Sequence, residues 1–201
     1  MRVIAGKARR LQLKTIDGMG TRPTTDRIKE TLFNMINNDM PQAVFLDLFS
    51  GSGAIGIEAL SRGASKAYFV ESNKKAVQCI KDNLNFTKLQ DDAVVMAMPV
   101  ESALKDLEHK VKFDFIFMDA AKGQYIHFMP EILRLLKPEA ILVSDNVLQD
   151  GDIIESHFIV TRRNRTIYKR MREYLYELTH SDELVTSVLP IGDGITVSVK
   201  K

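Results

Sequence analysis

The chain has 201 residues, of which 45% are hydrophobic and 27% charged, and its formal net charge is +2. This balance is typical of a globular protein with a buried core rather than of a disordered one. No run approaches the roughly 18 consecutive apolar residues of a membrane span, and the amino terminus lacks the apolar stretch of a secretory signal. The single cysteine, Cys79, excludes an intramolecular disulfide. We therefore expect a cytoplasmic protein that makes no contact with a membrane.

Basic residues are concentrated in two segments that contain no acid. Residues 1–16 contain Arg2, Lys7, Arg9, Arg10 and Lys14. Residues 162–172 contain Arg162, Arg163, Arg165, Lys169, Arg170 and Arg172. The two clusters predict a phosphate-binding surface if the fold brings them together. The alternative is that they are two separate solvated faces.

In chain order, a short basic segment with a hairpin is followed by a predicted helix over 25–37, where Asp26 and Glu30 favour a helix start. Apolar runs then alternate with helical periods. They predict strands at 44–48, 67–70, 93–96, 113–118 and 141–144, and helices at 54–62, 74–84, 100–107 and 126–136. The rhythm predicts an α/β fold with a mostly parallel sheet wound on both faces.

The carboxyl-terminal part follows another pattern. A basic amphipathic helix near 162–180 precedes strands at 185–189 and 195–199. The turn sequence Pro190-Ile191-Gly192-Asp193-Gly194 joins these strands and predicts an antiparallel pair at the sheet edge. We expect residues 1–201 to form one domain with an arm and helix (1–38), a ligand-binding half (43–118) and a catalytic half (119–201).

Residues 44–56 predict a buried strand, a glycine turn and a helix. Gly51, Gly53 and Gly56 fit G-x-G-x-x-G, which alone indicates a dinucleotide equally well, or an ordinary tight turn. Asp47, at the end of the strand, can meet an amine-bearing ligand but would repel a pyrophosphate. Glu71 ends the next strand, where it can hydrogen-bond both hydroxyls of a ribose.

The set D-x-F-x-G-x-G with an acidic end to the second strand resembles the class I S-adenosylmethionine-dependent methyltransferases. The resemblance implies a Rossmann-like, seven-stranded fold and S-adenosylmethionine as cofactor. It also implies the cofactor-binding residues Asp47, Gly51, Ser52, Gly53, Glu71, Ser72, Glu101, Ser102 and Asp119. Pro99 occupies the position where an acid near the adenine is expected, so that Glu101 or Ser102 must substitute and cofactor affinity is expected to fall.

The first part of the chain resembles the bacterial 16S ribosomal RNA guanine-N2 methyltransferases. The matching stretches are residues 1–6 (MRVIAG), 21–30 (TRPTTDRIKE) and 46–53 (LDLFSGSG). The resemblance implies an RNA partner, which the amino-terminal arm, Arg22 and Arg27 favour. With the two basic clusters, the predicted RNA contacts are Arg9, Arg10, Arg22, Arg27, Arg162 and Arg163. That family continues after the fourth strand with Asp-Pro-Pro-Tyr, whose carbonyl and ring grip the guanine amine.

This chain instead reads Asp119-Ala120-Ala121-Lys122-Gly123. From there it resembles the divalent-metal-dependent O-methyltransferases of the catechol and caffeoyl-coenzyme A type, and among them the tRNA 5-hydroxyuridine methyltransferases. The matching stretches are 119–123, 136–138 (LKP), 145–148 (DNVL) and 190–194 (PIGDG). A change of resemblance at the fourth strand predicts a chimera, natural or engineered.

The second resemblance implies specific chemistry. Asp119, Asp145 and Asn146 follow two predicted strands and offer the oxygen ligands that Mg²⁺ or Mn²⁺ prefers. Such a metal holds and acidifies a substrate hydroxyl. Lys122 matches the general base, and Asp119 and Lys122 are the predicted catalytic residues. A homodimer is a further expectation.

Three functions stay open at this point. The first is metal-dependent O-methylation of a hydroxyl, on tRNA uridine or another acceptor. The second is guanine-N2 methylation of 16S ribosomal RNA, against which the missing Asp-Pro-Pro-Tyr argues. The third is a chimeric cofactor-binding scaffold with little activity, which cofactor binding without turnover would identify.

Overall fold

The computed structural model describes residues 1–16, 26–121, 123–148 and 165–201. Their helices are α1 (Asp26–Met35), α2 (Ala54–Ser61), α3 (Lys74–Thr87), α4 (Val100–Leu107), α5 (Tyr125–Leu135) and α6 (Arg165–His180). Their strands are β1 (Val44–Leu48), β2 (Lys66–Val70), β3 (Ala93–Met96), β4 (Phe113–Met118), β5 (Leu136–Ser144), β6 (Leu184–Leu189) and β7 (Ile195–Lys200).

The strands form a seven-stranded sheet in the order β3-β2-β1-β4-β5-β7-β6. Strand β1 pairs in parallel with β2, β2 with β3, and β4 with β5. Strand β7 is antiparallel to both β5 and β6. The predicted α/β, Rossmann-like fold with an antiparallel edge is thereby confirmed.

Strand β5 departs most from its predicted bounds. It begins at Leu136, directly after α5, whereas the hydrophobic pattern places its start at residue 141. The pairing with β4 is irregular here, because Phe113 pairs with Leu136 and Phe115 pairs with Ile141. The apolar pattern therefore marks the regular part of the strand. Two short 3₁₀ helices, at Asn37–Asp39 and Gln90–Asp92, escape the periodicity altogether.

Two compact units make up the fold, Met1–Leu107 and Glu108–Lys201. In the first unit, every residue of α2 is buried. Gly56 is required there, because a Cβ at this position would lie 2.4 Å from the Phe69 ring of β2. The single domain predicted for residues 1–201 stays a prediction.

The amino-terminal arm, residues 1–14, folds back on itself within the first unit. Val3 N–H donates to the Leu11 carbonyl (3.0 Å) and Leu13 N–H to the Met1 carbonyl (2.9 Å), which fits the expected hairpin. The arm crosses the end of α2 so closely that a Cβ on Gly6 would lie 1.7 Å from the Ser61 oxygen. This position therefore accepts only glycine.

The second unit has its own core, which contains the fully buried rings of Phe113, Tyr125 and Tyr174. The side chain of Tyr125 on α5 contacts that of Tyr174 on α6, with ring centroids 5.2 Å apart. Of the helices described, none combines the length and the apolar character that crossing a membrane requires.

Candidate functional site

The glycine turn after β1 has the conformation that its sequence predicts. Phe49, Gly51 and Gly53 have φ angles of 63°, 54° and 78°, in the region that favours glycine. A Cβ built on Gly51 meets no atom within 4 Å, so the backbone here is open to a ligand. Gly53 is the N-cap of α2, and its N–H donates to the Ser50 carbonyl (2.7 Å).

Two carboxylates hold this turn. The Asp47 carboxylate, 1% exposed, accepts a hydrogen bond from Gly56 N–H (3.0 Å). Glu71 accepts from Gly51 N–H (3.0 Å) with one oxygen and from Asn73 N–H (2.8 Å) with the other. The structure thus brings the predicted acids and glycines together. Direct contacts of Asp47 with an amine and of Glu71 with a ribose stay predictions.

Asn83 on α3 belongs to the same site, although the sequence reasoning missed it. Its amide nitrogen donates to the carbonyls of Ser52 (2.9 Å) and Lys14 (3.1 Å), and its amide oxygen accepts from Lys14 N–H (2.8 Å). The side chain therefore joins the glycine turn to the arm. A signal was available, because a polar Asn83 among the buried α3 residues Cys79, Ile80 and Leu84 requires partners.

Of the remaining predicted cofactor residues of the first unit, Ser52 is half-buried, and the other three are exposed. Ser72 follows β2, and Glu101 and Ser102 lie in the first turn of α4. Ser102 N–H donates to the Pro99 carbonyl (3.1 Å), so that Pro99 starts this helix. Cofactor contacts of these four side chains stay predictions.

In the second unit, the parallel strands β4 and β5 bring Asp119 and Asn146 into contact. The Asn146 side-chain amide donates to Asp119 Oδ1 (2.8 Å), and Asn146 N–H donates to Asp145 Oδ1 (2.8 Å). Asn146 has a φ of 58°, which turns the chain immediately after β5. All three predicted metal ligands therefore lie at one end of this strand pair.

Tyr125 is a second residue that the sequence reasoning missed. Its hydroxyl accepts from Ala120 N–H (3.1 Å) and donates to the Asp145 carbonyl (2.8 Å). Burial, with the Asp119 carboxylate as a lesser cause, raises the pKa of this hydroxyl well above its usual range. The phenol therefore stays protonated wherever the protein is folded at ordinary pH.

The turn between β6 and β7 supports the segment after β5. Val147 N–H donates to the Gly194 carbonyl (3.0 Å) and Leu148 N–H to the Asp193 carbonyl (2.8 Å). A Cβ on Gly194 would lie 2.3 Å from the Leu148 side chain, which explains the glycine. Two motifs that the sequence resemblance picks out separately thus contact each other.

The structure describes only some of the residues predicted to act as a general base or to contact RNA. Lys122, Arg22, Arg162 and Arg163 lie outside the described residues. Arg9, Arg10 and Arg27 are exposed in the first unit. A cavity of about 210 Å³ is lined by Arg2, Val3, Ile4, Arg9, Arg10 and Glu30.

Metal binding is not established by the geometry. Within the described ranges, no group of three or more His, Cys, Asp or Glu side chains could hold a metal ion. The predicted set differs in composition, because it joins two carboxylates with the amide of Asn146. Magnesium or manganese at Asp119, Asp145 and Asn146 stays a prediction.

Known proteins resemble the chain over most of its length. Residues 1–176 match the family described as conserved hypothetical protein 95. YlbH of Bacillus subtilis, whose name provisionally assigns it as an rRNA methyltransferase, is 44% identical over 78% of this chain and 82% of its own. Ribosomal RNA small subunit methyltransferase D of Escherichia coli K12 is 40% identical over 75% of this chain and 77% of its own.

O-methyltransferases are more distant relatives. Caffeoyl-CoA O-methyltransferase of Medicago sativa is 29% identical over 50% of this chain and 42% of its own. The O-methyltransferase structure from Bacillus cereus, in complex with SAH, superposes with a TM-score of 0.75 at 21% identity, over 92% of this chain and 84% of its own. This last likeness shows the fold.

The family match extends through the position where the sequence reasoning expects a junction, between Met118 and Asp119. It therefore gives the chimera no support, and that hypothesis stays a prediction. The extent of the match and the identity to the curated relatives decide the family. The chain belongs to the family described as conserved hypothetical protein 95, with the ribosomal RNA small subunit methyltransferases D, and is a methyltransferase of the class I, S-adenosylmethionine-dependent fold.

Proposed function

We propose that the chain transfers the methyl group of S-adenosylmethionine to RNA of the small ribosomal subunit, at the exocyclic amine of a guanine. The observation that carries this proposal is the identity of 40–44%, over at least three quarters of the chain, to relatives named for methylation of ribosomal RNA, of which the Escherichia coli relative is named for the small subunit. The long motifs of the arm and of residues 21–30 point the same way.

The first unit fits the cofactor. S-adenosylmethionine supplies a methyl group on a cationic sulfonium. Gly51 leaves room for the cofactor to approach the backbone, as its Cβ position is open. The Glu71 carboxylate, already fixed by two backbone N–H groups, keeps lone pairs that can accept from ribose hydroxyls. The carboxylates of Asp47 and Glu71 also make the site favourable for a cation.

The arm fits an RNA partner. Arg9 and Arg10 are exposed, and together with Arg2 they line the cavity of the first unit. Phosphate contacts by arginine supply sequence-independent affinity and fix the register of the protein on the nucleic acid. The arm is held rigidly, since the buried Glu58 carboxylate accepts from Ile4 N–H (2.8 Å) and Ala5 N–H (3.1 Å). The backbone that carries its arginines is therefore anchored to α2.

The acceptor end fits a guanine amine less completely. Asp119 can accept a hydrogen bond from an exocyclic N–H, which favours attack by the nitrogen lone pair. Tyr125 cannot replace the stacking ring of Asp-Pro-Pro-Tyr, because it is 1% exposed. Its hydroxyl is hydrogen-bonded to the backbone of Ala120 and Asp145. This departure gives a second candidate function its weight.

The second candidate is O-methylation of an RNA hydroxyl assisted by Mg²⁺ or Mn²⁺. The favouring observation is the 2.8 Å contact of the Asn146 amide with Asp119 Oδ1. Rotating that amide by half a turn puts its oxygen at the same place. That oxygen, with the carboxylates of Asp119 and Asp145, would offer Mg²⁺ or Mn²⁺ the oxygen ligands that it prefers, and the bound ion would acidify a substrate hydroxyl. Lys122 is then the proposed base for the hydroxyl proton.

The experiment supplies methyl-labelled S-adenosylmethionine with unmodified small-subunit RNA, free and assembled, and separately with bulk tRNA. Reactions contain either Mg²⁺ or cobalt hexammine, which supports RNA folding but cannot coordinate protein ligands directly. The labelled nucleoside is then identified by mass spectrometry. Label in N2-methylguanosine under both conditions supports the proposal.

A labelled O-methyl nucleoside that requires Mg²⁺ contradicts the guanine proposal and supports the second candidate. In that case Asn146→Ala must abolish transfer while cofactor binding persists. Asp182→Asn, at an exposed aspartate of the same unit, serves as the matched control. Cofactor bound without label in any RNA contradicts both candidates.

A further inference from the structure

One buried hydroxyl joins the two segments that carry the acceptor-side residues. The segment after β4 contains Asp119 and Ala120, and the segment after β5 contains Asp145 and Asn146. Tyr125 accepts from Ala120 N–H in the first and donates to the Asp145 carbonyl in the second, at 3.1 and 2.8 Å. Both the donor and the acceptor capacity of the phenol are therefore used in bridging.

The bridge spans backbone groups, so it controls where the adjoining side chains lie. Asp119 precedes Ala120, and Asn146 follows Asp145, and the two side chains meet at 2.8 Å. A shift of either segment by a few tenths of an ångström changes this separation directly. Asp145 N–H also donates to the Met118 carbonyl (3.0 Å), but this contact extends the strand pairing and does not involve a side chain.

We propose that Tyr125 is a positioning residue, whose hydroxyl sets the separation of the Asp119 segment from the Asp145–Asn146 segment for the methyl acceptor. The inference rests on the proposed function in placing the acceptor at these segments, and it holds for an amine and for a hydroxyl acceptor alike. Tyr125 does not touch the acceptor, because its ring is closed in by α6 and 1% exposed. It acts through the two backbone segments.

The chain offers a matched control in Tyr174, the ring that contacts Tyr125. Tyr174 is equally buried, and its hydroxyl also makes a short hydrogen bond, to the Ser144 hydroxyl (2.6 Å). Removing either phenolic oxygen therefore removes the hydrogen bonds of one buried hydroxyl, and both hydroxyls belong to the same pair of contacting rings. Only the Tyr125 hydroxyl bonds to the backbone of the two acceptor-side segments among the contacts described here.

The experiment compares Tyr125→Phe with Tyr174→Phe in the full chain. In Tyr125→Phe we expect kcat to fall by roughly 10- to 100-fold, the scale of a small misplacement at a reacting centre. The KM for S-adenosylmethionine should change much less than kcat, since all the predicted cofactor residues except Asp119 lie in the other unit. Tyr174→Phe should lower Tm to a similar degree and leave kcat nearly unchanged.

A second readout does not depend on the acceptor RNA. Amide hydrogen exchange measured by NMR should accelerate at Ala120 in Tyr125→Phe, because its N–H loses its acceptor, and should stay near the wild-type rate in Tyr174→Phe. If the wild-type protein methylates no RNA, the proposed function fails, and this exchange result alone decides whether Tyr125 fixes the segments.

Two results overturn the inference. One is an unchanged exchange rate at Ala120 in Tyr125→Phe, which shows that the bridge does not hold the segment. The other is an equal loss of kcat in both variants at equal loss of Tm, which shows that the cluster contributes only stability. Accelerated exchange at Ala120, with kcat lowered in Tyr125→Phe alone wherever methylation is measurable, supports it.

Discussion

The two units hold their functional segments by different means. In the first unit, buried or half-buried carboxylates accept hydrogen bonds from backbone N–H groups: Glu58 from the arm, Asp47 from α2 and Glu71 from the glycine turn. In the second unit, a neutral phenol bridges an N–H and a carbonyl, and the carboxylate of Asp119 meets a side-chain amide. The carboxylates of the first unit thus fix the conformation of the backbone, whereas the Asp119 carboxylate of the second unit lies at the candidate reaction site.

The difference teaches what each unit is built to do. A carboxylate that accepts from backbone amides fixes a loop of one shape, which suits a cofactor that never varies. Side-chain contacts between an aspartate and an asparagine leave polar atoms whose partners can change with the acceptor. The first arrangement is therefore the more costly to disturb, and the second the more consequential for chemistry.

The largest expected effect follows from removing the charge that organises the first unit. Glu58 is fully buried and contacts Lys29 Nζ at 3.5 Å and Arg62 Nε at 2.8 Å, besides its two backbone donors. Glu58→Ala leaves two buried cations and the arm without their partner, and should lower the free energy of unfolding by about 3–5 kcal/mol. Urea denaturation followed by circular dichroism measures the loss.

Glu108→Ala is the control from the second unit. Glu108 is a partly exposed glutamate whose ion pair with Arg134 spans 3.8 Å at the surface, so its removal should cost about 0–1 kcal/mol. Equal losses in the two variants would contradict the view that the first unit depends on its buried carboxylate. Hydrogen exchange should also locate the damage of Glu58→Ala in residues 1–107.

A smaller effect is expected at the glycine turn, where the space for a ligand is tested. Gly51→Ala puts a methyl group into the open region beside the turn, at a φ of 54° that costs an alanine about 1–2 kcal/mol. Gly192→Ala imposes the same strain at a φ of 57° in the β6–β7 turn of the second unit. Calorimetry with S-adenosylhomocysteine should show at least about tenfold weaker binding for Gly51→Ala, and near wild-type binding for Gly192→Ala.

How much the sequence could predict differs between the units for a physical reason. The strands Val44–Leu48, Ala93–Met96 and Phe113–Met118 have the predicted bounds, since mainly apolar runs of strand length mark them in the sequence. The glycine turn was equally readable, because positive φ angles and close approach require glycine. The proximity of Asp119, Asp145 and Asn146 could also be predicted, because parallel strands end at the same edge of a sheet.

The side chains that hold these segments could not be predicted in the same way. Tyr125 reads as a core aromatic of α5, and nothing local says that its hydroxyl reaches both Ala120 and Asp145. Asn83 and Glu58 likewise contact residues far away in sequence, Lys14 and Ile4. Such roles depend on the tertiary arrangement, for which helical periodicity gives only the buried face.

The smallest expected effect concerns the free energy of unfolding at alkaline pH, to which buried groups of the two units contribute with opposite signs. Burial lowers the pKa of Lys29 in the first unit, against the attraction of Glu58. The folded chain then releases this proton before the unfolded chain does, so the contribution of Lys29 to stability rises with pH up to about 10.5.

Burial instead raises the pKa values of Tyr125 and Tyr174 in the second unit. The unfolded chain loses these phenolic protons first, from pH 10 upward, so each tyrosine lowers stability with rising pH by up to about 1.4 kcal/mol per pH unit. Tyr174→Phe should therefore flatten the fall of unfolding free energy between pH 10 and 11, and Lys29→Met should remove the rise below pH 10.5. Urea titrations at stepped pH measure both slopes, and a Tyr174→Phe slope as steep as that of the wild type would show that its hydroxyl ionises in the folded chain as readily as in water.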